Sequence, residues 1–414
     1  MSHTDRYQPL DTLHLWYLGQ PSQPALVGSL HLVMSGRGVS LRYDPNWLRH
    51  GFALSEDLPR VDVEHLPRVK DRAAGAVDDA RPDRWGERVI RLIDRPVRFS
   101  ILEMLYFAGD GRFGALGVST SQAVYEPCNR SPLPELAEVE AIHVLVCKVM
   151  AGEHIDPVQK RLIAPGATMG GVRPKALIQM DGAEWVLKFS DEDIATSPEA
   201  EHAAMTLAAQ AGIRVAETRL IPFKGGQAIA VRRFDRVSGR RIHAISANVA
   251  LSATGSELTY PDLAQLLRRR GSTKAGEHRS QMRELFRRMV FNILIDNTDD
   301  HEKNHVLLMD DAQQLHLSPA FDVLPTGQGL GYQAMGVGTG GAESSIENAL
   351  SMAKAFWLTR QEALAESATV AKVVAGWRAH FEQTGVNADL IELLARHVDR
   401  PYLQEQREQL GQNR

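Results

Sequence analysis

The chain has 414 residues, 43% of them hydrophobic and 24% charged, with a formal net charge of −4. That length accommodates more than one domain with its own core, and the mild negative charge excludes a general drive towards nucleic acid or anionic membranes. Two cysteines, Cys128 and Cys147, exclude a disulfide framework and a cysteine-type zinc site. No apolar run approaches the ~20 residues of a membrane helix, and the N-terminal stretch lacks a basic-then-apolar signal pattern, so a cytoplasmic location is expected.

In chain order, residues 12–45 are predicted to be β-rich, with short runs at 13–18, 25–34 and 39–43 parted by turns at Gly19 and 36–38. Asp83, Trp85 and Gly86 lead into a predicted helix at 87–93, with Trp85 read as a core or interface anchor. Residues 102–108, a turn at 109–111 and residues 114–118 close a small α/β subdomain over 1–125. Residues 127–134 read as a linker, and Leu136, Val139, Ile142, Val146 and Val149 mark a helix at 135–150. Linker and helix together span 126–154.

A second, β-rich region covers 155–235. It holds a Gly-containing turn at 168–171, strands at 176–180, 185–189, 216–221 and 227–233, and a helix at 197–212. From 236 to 414 helices are predicted to dominate, at 260–270, 276–292, 345–353, 360–384 and 388–409. A β-rich half followed by a helical half suggests two lobes around a cleft.

Within the helical half, FNILIDNTDDHEKNHVLL places a dense polar cluster between two apolar runs. Ordinary surface turns use Gly, Ser and Pro, and rarely stack Asp, Asn, His and Lys in this way. His301-Glu302-Lys303-Asn304-His305 satisfies H-E-x-x-H, the zinc-hydrolase pattern. That chemistry needs the motif on a helix, whereas Asp299 and Asp300 before it and the apolar run after it predict a turn. A third ligand is also missing nearby. The histidines are therefore read as supporting the loop by packing and hydrogen bonding.

Phosphoryl transfer fits better. Kinase loops place an Asp base and a metal-binding Asn five positions apart, the separation of Asp299 and Asn304. Asp300 is the alternative base if the register slips by one. The remaining parts follow in kinase order: Gly170 and Gly171 in a small-residue loop that could cradle phosphate, Lys188 ending an apolar strand, Glu201 early on a helix as a Lys partner, and Asp322 in a turn after a short strand.

With these parts in place, the chain resembles the HipA family of serine/threonine kinases, the toxin halves of bacterial toxin–antitoxin pairs. NTDDHEKNHVLL resembles its catalytic loop, SPAFDVLPT its metal-binding Asp segment, GGVRPKALI its Gly-rich segment and AVRRFDR its hinge. PDRWGERVI and GRFGALGVS resemble its N-terminal subdomain. The resemblance implies an α+β, two-lobed protein-kinase-like fold, with an N-lobe at 155–235 and a helical C-lobe at 236–414, preceded by the small α/β subdomain. It implies Asp299 as catalytic base, Asn304 and Asp322 as Mg²⁺ ligands, and Lys188, Lys303, Gly170 and Gly171 around ATP. The backbone at Arg233 and Phe234 would meet the adenine. Thr168 stands where the family prototype carries an autophosphorylated serine, and Arg232 where its hinge has Glu.

The implied partners are a HipB-like helix-turn-helix antitoxin and a protein substrate, such as an aminoacyl-tRNA synthetase, whose phosphorylation arrests growth. The basic runs at 232–241 and 268–270 read as solvated or phosphate-side charges, so DNA would be met through the antitoxin. Two other readings stay open: a small-molecule or lipid kinase, and an inactive co-repressor that only binds the antitoxin.

Overall fold

The computed structural model describes residues 7–128, 132–163, 171, 173–190 and 197–412, so Thr168 and Gly170 lie outside the described residues. Its contacts divide the chain into two compact units: Met1–Val186 with Asp235–Ile245, and Leu187–Phe234 with Ser246–Arg414.

The first unit opens with antiparallel strands β1 (Thr12–Tyr17), β2 (Ala25–Val33) and β3 (Gly38–Tyr43), with Leu116–Ser119 paired along the other edge of β1. Leu13, Leu30 and Leu41 stand opposite one another in register and are fully buried, as the two-residue period of a half-buried sheet requires. Helix α1 (Pro45–His50), absent from the sequence-based prediction, starts where Asp44 accepts a hydrogen bond from Asn46 N and Pro45 opens the first turn. Helix α2 (Arg84–Val89) begins earlier than predicted because Asp83 caps it, accepting from Gly86 N. Helix α3 (Ile101–Phe107) carries a Ser100–Glu103 capping box, and α4 (Val139–Ala151) ends at Gly152.

Residues of the quoted motifs hold this unit together. Arg112 of GRFG is buried and donates to the carbonyls of Gly109 (3.0 Å), Ala80 (3.1 Å) and Leu105 (2.6 Å). Asp235 accepts from Gly114 N at 2.8 Å, while Arg236 donates to the carbonyls of Gly114 (3.0 Å) and Arg112 (2.8 Å). The Asp-Arg pair of AVRRFDR thus secures the GRFG turn. Lys175 Nζ donates to the buried Asp83 carboxylate at 2.6 Å, and Trp85 Nε1 donates to Lys175 O at 2.8 Å. Trp85 therefore fastens segment 83–86 to the strand Lys175–Met180.

The second unit contains α5 (Pro198–Gln210), the antiparallel strands Thr218–Phe223 and Gly226–Arg232, then α6 (Ala247–Thr254), α7 (Tyr260–Arg270) and α8 (Glu277–Leu294). The paired strands Val306–Met309 and Leu315–Leu317 follow. Helices α9 (Ile346–Ser351), α10 (Arg360–Val374), α11 (Trp377–Gln383), α12 (Ala388–Val398) and α13 (Pro401–Gln412) complete it. Met282, Leu285, Phe286, Met289, Val290 and Ile293 line the buried face of α8 at helical spacing, against α7 and α10. Each such side chain contributes roughly 1.5–3 kcal/mol of burial, which makes α8 the rigid base from which the polar cluster projects.

Two predicted helices are each a pair. The stretch 360–384 breaks at Gly376, a poor helix former. The stretch 388–409 breaks before Pro401, which has no N–H to continue the ladder. Helix α6 is missing from the prediction altogether. Among the described residues, no helix is long and apolar enough to cross a membrane.

Candidate active site

Helix α8 ends in a sharp reversal. Asp296 N donates to Ile293 O (3.4 Å) and Asn297 N to Asn292 O (2.9 Å), the paired bonds of a Schellman cap. Asp296 occupies its left-handed position at φ 60°, where glycine is usual. That conformation costs an L-residue about 1–2 kcal/mol. Two bonds to its carboxylate offset the cost, from Arg400 Nη2 (2.7 Å) and from Gly329 N (3.2 Å).

The reversal delivers the polar cluster. Thr298 is held by Thr326, their hydroxyl oxygens 2.7 Å apart. Asp299 is exposed, whereas its neighbour Asp300 is only 2% exposed. A single 3₁₀ turn, Glu302–Asn304, follows, and Asn304 Nδ2 lies 3.5 Å from Asp299 O. Asn248 of α6 steadies the turn by donating to Glu302 Oε1 at 2.7 Å. The two histidines do not share a helical face. His305 Nε2 donates to Asp300 at 2.7 Å, and Asp300 also accepts from Tyr260 Oη and from Asn292 Nδ2 (2.7 Å). Asp300 thus collects three donors on one carboxylate oxygen and is almost wholly withdrawn from solvent.

The electrostatics separate the two aspartates. Partial burial pushes the Asp299 carboxyl above its ordinary range; His301 opposes this, and the negative charges of Asp322 and Asp300 add to it. Burial acts on Asp300 in the same direction, but the charge and hydrogen bond of His305, with the Tyr260 hydroxyl, outweigh it and hold that carboxyl low. Tyr260 in turn is pushed well up by burial and by Asp300.

Lys188, 7% exposed, brings two further carboxylates together. Its ammonium donates to the fully buried Glu201 at 2.6 Å and to Asp322 at 2.5 Å. Glu201 lies in the first turn of α5, where Ser197 caps the helix. Asp322 follows the strand Leu315–Leu317 and sits at φ 60°, so its backbone is held in a sparsely populated region, a recurrent feature of functional turns. Hydrogen bonds from Ala320 N to Arg214 O and from Ala216 N to Ala320 O, both 2.8 Å, fix the approach to it.

Of the remaining candidates, Phe234 packs against Phe321 with ring centroids 5.4 Å apart, Arg233 is buried and Lys303 is half-buried. Gly171 belongs to the first unit and has φ 100°. Sequence reasoning missed Tyr260, Asn292, Thr326 and Arg400. The partners of Tyr260, Thr326 and Arg400 lie 28 to 104 positions away along the chain, beyond any local spacing rule; Asn292, eight positions from Asp300, carries no signal apart from being polar on a buried helix face.

An α+β fold of this kind, with Lys188, Glu201 and Asp322 converging beside a loop that carries Asp299 and Asn304, is protein-kinase-like. The family model of the HipA-like C-terminal domain matches residues 167–382, more than half of the chain. The chain belongs to the HipA family. It is 31% identical over 161 residues to Y4dM of Sinorhizobium fredii, provisionally named a kinase, a match covering 35% of this chain and 38% of that protein. It is 26% identical over 182 residues to a second provisionally named kinase, from Haemophilus influenzae, covering 38% of this chain and 52% of that one. The chain thus matches about half or less of these curated relatives. Among solved structures it is similar in fold to Shewanella oneidensis HipA, determined with HipB and its operator DNA. The TM-score is 0.66 at 16% identity, over 96% of this chain and 97% of that one.

Proposed function

We propose that this protein is an ATP- and Mg²⁺-dependent serine/threonine-protein kinase, the toxin of a HipA/HipB-type module. The observation that carries the reading is the Lys188 ammonium held between Glu201 and Asp322, in the same unit as Asp299 and Asn304. In this reading 155–235 acts as the kinase N-lobe, 236–414 as the C-lobe, and 1–125 as the accessory subdomain.

The chemistry of the donors fits magnesium, a hard cation that takes oxygen ligands. The Asp322 carboxylate and the Asn304 side-chain amide supply such oxygens and would hold it. Bound there, the metal would neutralise charge developing on the transferred phosphoryl group. Asp299, exposed and with a raised carboxyl, accepts the proton of the incoming Ser or Thr hydroxyl. Lys188 and Lys303 orient the phosphates and the Arg233–Phe234 backbone receives the adenine, while Gly170 and Gly171 are phosphate-loop candidates on their sequence segment alone. Thr168 is the candidate autophosphorylation position.

A HipB-like helix-turn-helix antitoxin is the proposed partner, supported by the complex in which the Shewanella relative was determined. DNA is then met through that partner. The proposed target is a protein of translation, such as an aminoacyl-tRNA synthetase, whose modification stops growth.

Induced expression of the wild type beside Asp299→Asn, with phosphoproteomics of both cultures, tests the proposal. The expected result is growth arrest and new phosphoserine or phosphothreonine peptides with the wild type alone. Equal growth and identical phosphopeptides would overturn it.

A further inference from the structure

We infer that Asp300 and His305, supported by Tyr260 and Asn292, are positioning residues that set the separation between Asp299 and Asn304. The inference deepens the proposed kinase reading and rests on it for its chemical consequence. The geometry is that of a staple. Asp300 and His305 stand immediately beyond Asp299 and Asn304 in sequence, and their side chains meet at 2.7 Å across the 3₁₀ turn. Closing the turn at 300 and 305 fixes the backbone on which the base at 299 and the amide at 304 are carried.

The staple is itself anchored to two helices. Tyr260, the first residue of α7, donates its hydroxyl to Asp300, and Asn292, near the end of α8, donates its amide at 2.7 Å. The Tyr260 and His305 rings pack edge to face, centroids 5.3 Å apart, so each restrains the other's rotamer. Asn292 has a second task, accepting from Asn297 Nδ2 at 3.1 Å where the chain leaves α8. One buried carboxylate thus collects three donors from three separate elements, all four side chains being at most 3% exposed. A base serving a protein substrate needs access, and Asp300 has none. A carboxylate that only filled a core would be replaceable by an apolar residue at little cost to chemistry. This one spans the loop whose two ends must be held to within about 0.5 Å for phosphoryl transfer.

The test uses the full-length protein, Mn²⁺ as a spectroscopic substitute for Mg²⁺, and ATP. Wild type, His305→Ala, His305→Gln and Tyr260→Phe are compared in three measurements: melting temperature, amide hydrogen exchange across 299–304, and Mn²⁺ affinity in the presence of ATP by electron paramagnetic resonance. His305→Ala is expected to accelerate exchange in the loop and to weaken Mn²⁺ binding ~10–100-fold, the usual effect of removing an outer-shell partner. His305→Gln, whose amide reaches the place of Nε2 and still donates, should recover most of both losses. A folded His305→Ala with wild-type exchange and wild-type Mn²⁺ affinity overturns the inference, as does a His305→Gln no better than the alanine variant. If His305→Ala does not fold, Tyr260→Phe decides in the same two measurements, with unchanged values counting against the staple. A wild type that binds no Mn²⁺ with ATP defeats the kinase reading instead, while loop exchange still decides whether the staple exists.

Discussion

Lys188 and Asp299 sit in one proposed site but answer to opposite physical demands. The Lys188 ammonium lies in a dry environment against a fully buried Glu201. Lys188→Met removes the buried cation from that carboxylate and should destabilise the fold by about 3–5 kcal/mol, measured as a lowered urea midpoint, besides abolishing the proposed phosphoryl transfer. Lys188→Arg keeps the charge and should lose less stability. Asp299 is exposed and has no such structural role, so Asp299→Asn should leave stability within about 0.5 kcal/mol. Its rate of phosphoryl transfer should fall ~10²–10⁴-fold, the range for a lost general base. Large stability losses at both positions would show that Asp299 is not a free catalytic group.

At the scale of elements, the end of α8 decides where the loop starts. Asp296 combines a left-handed backbone with a carboxylate fixed by Arg400 and Gly329. Asp296→Gly relieves the backbone but cuts both anchors, whereas Asp296→Ala cuts the anchors and keeps the strained backbone. The alanine variant should therefore be the less stable by about 1 kcal/mol, a difference readable in paired denaturant titrations. Equal midpoints would mean that the reversal relaxes without its side chain.

Legibility in the sequence divides along the same lines. Lys188, Asp299, Asn304 and Asp322 stand out in sequence because each lies in a short segment of restricted composition, and their order along the chain is itself informative. Gly376 and Pro401 are equally visible as helix breaks, but the apolar period continues past both and masks them. Helix α6 carries Ser246 as its cap but spans only eight residues, too short for periodicity to distinguish helix from strand. The donors to Asp300 and Asp296 belong to a third kind. Tyr260 and Arg400 acquire meaning only once α7, α8 and α13 have packed, and no local pattern encodes that.

For the molecule as a whole, buried histidines set a pH limit. His243 is 2% exposed, donates Nε2–H to Leu54 O at 2.8 Å and packs edge-on to Phe52. Burial pushes its imidazole down to about 4, from an ordinary value of 6.5. A depressed folded value means that the unfolded chain binds the proton first. The contribution is therefore complete above pH 6.5 and is lost as pH falls towards 4. The loss at His243 amounts to about 3 kcal/mol. His14, His65, His202 and His380 are shifted in the same direction by burial. Asp94 and Asp296, raised by burial, act in the opposite sense, near the carboxylate range. Stability should fall between pH 6.5 and 4, and His243→Gln should flatten that fall; an unchanged slope in urea titrations across the window would contradict it.

Arg407 of α13 donates to the carbonyls of Leu294 (3.2 Å) and Val398 (2.8 Å) and to Asp399 (2.9 Å), just beyond the Arg400 that holds Asp296. The last turn of α8, and with it the start of the loop, is thus pinned by residues more than 100 positions later in the chain. A ribosome makes the proposed catalytic aspartate long before it makes these arginines. A nascent chain paused before Arg400 has every proposed reactive group but lacks the two arginine pins that aim them. For an enzyme whose proposed work is to stop translation, competence would come only once residues 400–407 have followed the loop out of the ribosome.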